Sequence, residues 1–362
     1  MAEEPKHPND PDRVRLRDWS GLARAVPAAF DPRKLLIAAV ALLALEAGWR
    51  AIERVAPTPG ARPFRALEFA SLYGTPFRSP ADFAEAIRRP AGNLTRPFRV
   101  LIAPLRSMFA IDGPEGTFAP GLARLAWAAA VLGVAGGAIC RLAAAEAGGG
   151  ERGGLREAVG FGFRHAGGLA AAPLYPTAIV LMLAAVSAGF GLIARLAPSL
   201  TLAASIAPMV LGLASAALLA FAVASWPLVH AAMAAESEEA VTAIARAYGY
   251  VRHRPMPLAA CAASAWVLGT LGLAAFEVFL GASAHLAVWG MGLAAFPARP
   301  GSIGGALESW AGAFGLALQA WTFAFFWCAA VRAFLILRQD VDGEPEPAPA
   351  IGMTAGGSAA RL

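Results

Sequence analysis

The side chains able to do chemistry are few, and their spacing argues against a catalytic centre. The five histidines, His7, His165, His230, His253 and His285, form no HExxH motif and no pair at metal-ligand spacing on one helix face. Cys140, Cys261 and Cys328 each sit alone in an apolar stretch. An odd count without CxxC spacing predicts buried, reduced thiols, not a disulfide framework or a zinc site. The run Gly148-Gly149-Gly150-Glu151-Arg152-Gly153-Gly154 lacks the Gly-Lys-Ser/Thr that a phosphate loop requires, so it reads as a flexible connection. No Gly-x-Ser-x-Gly elbow, paired loop acids or Ser/His/Asp arrangement occurs in a recognisable context. The expectation is a non-enzymatic protein with no cofactor and no metal.

Two groups of polar residues remain. Glu46, Glu277 and Gln319 lie inside apolar runs, where ionisable and amide groups are costly and mark candidate intramembrane sites. Arg164-His165 and Arg252-His253-Arg254 follow short helix candidates at the ends of loops. Arginine forks there suit phosphate oxygens, so these five are candidate contacts to lipid headgroups.

The elements that must position them follow from composition. The chain has 362 residues, 57% of them hydrophobic and only 15% charged, with a mean hydropathy of +0.56. Soluble domains carry about 25% charged residues, so the excess apolar surface predicts an integral membrane protein. It excludes a disordered chain, a collagen and a small disulfide scaffold. The net charge of +5 comes from arginines spread between apolar runs. Such arginines flank membrane spans and argue against nucleic acid as a partner.

Apolar runs predict an all-α polytopic bundle of about six spans. Residues 1–33 read as a cytoplasmic tail with a short helix near Leu16 to Val26, and no cleavable signal is expected after so long a polar start. The first span is placed at 34–52. The Pro- and Arg-rich segment 53–118 reads as non-spanning, with a helix candidate at Ala81 to Arg89 and a headgroup-boundary segment at Arg99 to Ile111. A five-span domain fills 119–341, with spans near Gly121–Cys140, Gly168–Ile193, Leu202–Val229, Pro257–Phe276 and Trp310–Val331. Val278 to Phe296 reads as an apolar, partly interfacial loop in preference to a seventh span, and 342–362 as a disordered tail. The basic loops 141–165 and 231–256 place both termini in the cytoplasm of a bacterial inner membrane.

Those two loops look like copies of one unit. Each has a Glu after alanines (Glu146, Glu236), a short helix candidate (near 151–165 and 237–253), an aromatic-Gly pair and Arg-His. The pattern suggests a duplicated span–elbow–span unit with both copies on one side. In the second elbow Ser237 is expected to cap the short helix, and Val241, Ile244, Tyr248 and Val251 to form its apolar stripe.

Trp226-Pro227-Leu228, Glu236-Ser237, Arg246-Ala247-Tyr248-Gly249-Tyr250-Val251 and Arg254-Pro255, with the closing FLILRQDVDG from Phe334 to Gly343, resemble the signature of a multi-pass membrane family common in planctomycete-type bacteria. The resemblance spans about Gly121 to Gly343 and implies fold and membrane location, without a reaction. The expected function is a non-catalytic scaffold or lipid-contacting assembly component. Its expected partners are membrane lipids, anionic ones included, and other membrane proteins or further copies of itself. The alternative is a permease or transporter subunit, suggested by the repeat and by Glu46 and Gln319.

Overall fold

A computed structural model describes residues 21–57, 92–109, 117–148, 153–237, 239–294 and 300–342. The elements are α1 (Ala25–Ala28), α2 (Pro32–Val55), α3 (Arg96–Met108), α4 (Phe118–Ala147), α5 (Leu155–Arg164), α6 (Ala166–Leu196), α7 (Thr201–Glu236), α8 (Ala240–His253), α9 (Pro255–Ala294) and α10 (Pro300–Asp342), with a 3-10 turn at Pro198–Leu200. No strand occurs among the described residues. Six helices, α2, α4, α6, α7, α9 and α10, are long and apolar enough to cross a membrane. In hydrocarbon every backbone amide must be satisfied within its own segment, so these apolar runs fold as helices. The chain is therefore an all-α, multi-pass membrane protein.

Helix α2 starts where Pro32 occupies the first turn and the Asp31 carboxylate accepts the Arg33 amide at 2.9 Å. It runs antiparallel to α4. At one end Lys34 meets Glu146 at 2.5 Å; at the other Arg124 meets Glu53 at 2.5 Å. Between them the Trp127 indole donates to the Ala44 carbonyl at 3.0 Å. Lys34 and Glu53 are separated by about 28 Å along the helix, close to the ~30 Å hydrocarbon thickness. Two polar layers thus bracket the bundle. The layer at Lys34 also gathers Glu236, Arg338, Arg254 and Asp340. The first end of α2, the last turns of α4, α7 and α10 and the start of α9 therefore share one side, the elbow end.

α4 and α10 form the centre, and the α6/α7 hairpin turns most of its surface outward. Trp321, Phe323, Trp327 and Phe334 of α10 are fully buried. Gly136 of α4 makes room for Trp327, whose ring would lie 2.5 Å from a Cβ at that position.

Three sequence expectations change. Residues 278–294 continue α9 as one helix of 40 residues and do not form an apolar loop; 295–299 lie outside the described residues. Gly281, Gly290 and Gly292 do not break it because, in an apolar surrounding, interrupting the backbone hydrogen bonds costs more than the entropy that glycine sacrifices.

Residues 21–31 are part of the bundle and not of a free tail. Leu22, Ala25 and Ala29 are buried, and Phe30 packs at 5.1 Å on Phe276 and 5.6 Å on Trp321. Residues 1–20 lie outside the described residues, as do Ala81 to Arg89 and everything after Asp342.

The Arg99 to Ile111 segment is not confined to the headgroup boundary. Its described part, α3, begins where Phe98 touches Trp226 and Phe326, at 6.0 and 5.0 Å between rings, and Leu94 lies under Gly269. Counted along their helices, Trp226, Phe326 and Gly269 lie about 15 to 22 Å from the elbow-end charges. α3 ends beside Gly121, which approaches Met108 and the Pro104 carbonyl near the Glu53–Arg124 layer. Its first turn thus lies level with the middle of the long helices. Its Val100, Leu101, Pro104 and Met108 are buried, which outweighs the boundary preference of its arginines.

Candidate functional site

The elbow end carries the densest polar network. Glu146 lies in the last turn of α4 and Glu236 ends α7. A carboxylate there faces the negative end of the helix dipole, so each needs cations. Glu146 receives them from α2. Lys34, fully buried, bonds its carboxylate and also donates to the Ala28 carbonyl at 3.1 Å. Arg33 adds a contact at 4.0 Å and donates to the Gly153 carbonyl at 2.6 Å. Glu236 pairs instead with Arg246 of its own elbow and with Arg338 of α10, the latter at 3.0 Å. The two elbows thus place their acids alike and neutralise them from different elements.

Asp31 borders this network. Burial works to raise its carboxyl pKa, but the side-chain and backbone bonds from Arg33 and the Arg33 and Lys34 charges hold it below the ordinary value.

Helix α5 lies against α4. Ala158 packs on Ala138 and Leu142, and Gly162 sits so close to the Val134 carbonyl that a Cβ would come within 2.3 Å. In the second elbow the buried face of α8 is Ala243, Ala247, Tyr250 and Val251. The expected stripe is therefore rotated: Val241 is 78% exposed, and Ile244 and Tyr248 are half-buried. Tyr248 sits partly buried near Ser225, and burial pushes its phenol pKa up. Ser237 does not cap α8. It closes α7 in the left-handed region (φ 55°), and its hydroxyl accepts from Arg141 at 3.4 Å.

The headgroup candidates divide. Arg164, Arg252 and His253 are exposed on the outside of the elbows, and the Phe163 ring beside Arg164 is 68% exposed. His165 is half-buried, its Nδ1 bonded to the Phe161 carbonyl at 3.0 Å. Arg254 is engaged with Asp340.

The three intramembrane candidates are all buried. Glu46 is buried on α2 and pairs with Arg50 one turn on. Glu277 and Gln319 are buried on neighbouring helices, near the level where Phe276 and Trp321 approach at 6.4 Å, and both have partners. Gln319 lies about 28 Å along α10 from Arg338, toward the far layer and not at mid-span.

Three polar features escape sequence reasoning. Lys34 reads only as a basic residue ahead of the first apolar run but is interior. Arg124 falls within a span and is held by Glu53. His230 is fully buried, with Nδ1 3.1 Å from the Trp226 carbonyl and its ring 4.6 Å from Trp327. The Trp-x-x-x-His spacing that sets both rings on one helix face is its only signal. Among the described residues no group of His, Cys, Asp and Glu is arranged to hold a metal ion. No family model, curated protein or solved structure matches the chain.

Proposed function

We propose that this membrane protein is a non-catalytic, lipid-contacting assembly component of a bacterial inner membrane, of the planctomycete-type multi-pass family that its elbow motifs resemble. The observation that carries the reading is the division of the elbow cations. Arg33, Lys34, Arg246 and Arg338 are consumed by Glu146 and Glu236, whereas Arg164, Arg252 and His253 are exposed, with the exposed Phe163 next to Arg164 in the first elbow. Cations and aromatic rings at one level suit anionic headgroups. The same basic elbows support a cytoplasmic position for both termini.

The test is lipid retention. Full-length protein carrying Arg164→Gln and Arg252→Gln is extracted in mild detergent, and its bound anionic and zwitterionic lipids are quantified. Each cation near an anionic surface contributes about 1 kcal/mol, so the retained anionic fraction is expected to fall several-fold. An unchanged fraction refutes the reading.

One observation favours the second reading, a permease subunit: α3 starts level with the middle of the long helices, as the broken helices of transporters do. Solute flux in proteoliposomes that is lost on Gln319→Leu would replace the first reading with this one.

A further inference from the structure

Helix α3 divides into three edges. Pro97, Val100, Pro104 and Met108 are buried on one, and α3 packs chiefly on α4 there. At 100° per residue, Arg99 and Arg106 fall together on an exposed edge, on either side of Ile102. Between these edges runs a narrow crevice, walled by Phe98, Ile102 and Leu105 of α3, Leu125 of α4, Thr177 of α6 and Trp226 of α7. Its enclosed space is small, about 20 Å³, and the rest of it opens laterally. The wall is apolar, because the Thr177 hydroxyl is already spent on the Pro173 carbonyl at 2.8 Å.

The crevice has a direction. Phe98 and Trp226 mark its deep end and Leu105 and Leu125 its far end, about 10 Å further along α3. Arg106 follows Leu105 at that far mouth, in the turn that packs beside Gly121 and near the Glu53–Arg124 layer. A shallow apolar groove that opens sideways at hydrocarbon depth, with an exposed guanidinium at its far end, complements an amphiphile with an anion above and an alkyl chain laid along the groove below.

We propose that this crevice binds one acyl chain of an anionic glycerophospholipid from the leaflet opposite the elbows, with the phosphate held by Arg106. The site rests on the lipid-contacting reading above but uses none of the elbow residues, so the two can fail separately.

Trp226 supplies the readout. The full-length protein is reconstituted in phosphatidylcholine vesicles containing either phosphatidylglycerol with brominated chains or brominated phosphatidylcholine at the same mole fraction. Bromines in the crevice quench Trp226, and subtraction of a Trp226→Phe protein isolates its share. Phosphatidylglycerol is expected to quench that share at the lower mole fraction. Arg106→Gln, at an exposed position that leaves packing intact, is expected to raise the half-quenching mole fraction about fivefold, the effect of one interfacial cation. Ala222 of α7 also lines the crevice, and Ala222→Leu, which fills it, should abolish the excess. Arg164→Gln with Arg252→Gln should preserve it. Equal quenching by the two lipids, or an excess that survives Arg106→Gln, overturns the site. An excess that persists while the elbow variant retains its normal lipid fraction separates this site from the elbow reading and refutes only the latter.

Discussion

Lys34 has no exposed surface and its ammonium spans from α1 to α4, bonding the Ala28 carbonyl and Glu146. Removing one partner of a buried pair leaves an uncompensated charge, whereas replacing both can be neutral. Glu146→Gln is therefore expected to destabilise the protein by about 3 kcal/mol, and Lys34→Met with Glu146→Leu to recover most of that loss. Thermal unfolding in one detergent checks both. Asp31 supplies a pH limb. Its carboxyl titrates lower folded than unfolded, so its contribution is complete at neutral pH and is lost as pH falls through the folded value. Asp31→Asn is expected to keep the cap, reduce neutral-pH stability modestly and flatten the acid limb of a melting-temperature profile. Little of this was legible beforehand. Glu146 and Glu236 stood out through their repeated setting, but their counter-ions Lys34 and Arg338 lie far away in sequence, and no local spacing announces such a pair.

At the scale of elements, glycine placement separates the two faces of α5. Gly162 faces the Val134 carbonyl, while Gly160 has open space around it. Gly162→Ala is expected to push α5 off α4 and lower the melting temperature. Gly160→Ala is expected to raise stability by up to about 1 kcal/mol, the helix-propensity difference. Parallel melts of the two variants decide it. The six long helices were readable because an uncharged apolar run needs no tertiary information to become a helix in hydrocarbon. α3 was hidden because Arg96, Arg99 and Arg106 dilute its hydropathy. Its apolar edge gains value only from α4, α7 and α10, which supply Gly121, Trp226 and Phe326. The second elbow was misread for a related reason. Its small residues, Ala243 and Ala247, pack against protein, while Val241 turns outward, so side-chain bulk was a poor guide to the buried face.

For the whole molecule, the alternating helices set Ser237 and Ser199 at opposite ends of α7. In a background with Cys140, Cys261 and Cys328 replaced by alanine, single cysteines at these two serines are expected to react with an impermeant maleimide from opposite sides of sealed vesicles. Labelling from the same side refutes the up-and-down bundle. The lodging of α3 also constrains biosynthesis. Phe98 leaves the ribosome about 230 residues before Phe326, which forms part of its floor. At about 5–20 residues per second, that is a delay of roughly 10–45 s. During the delay an arginine-bearing segment has no finished berth, so the nascent chain must be sheltered by the insertion machinery or wait in the aqueous vestibule until α10 arrives.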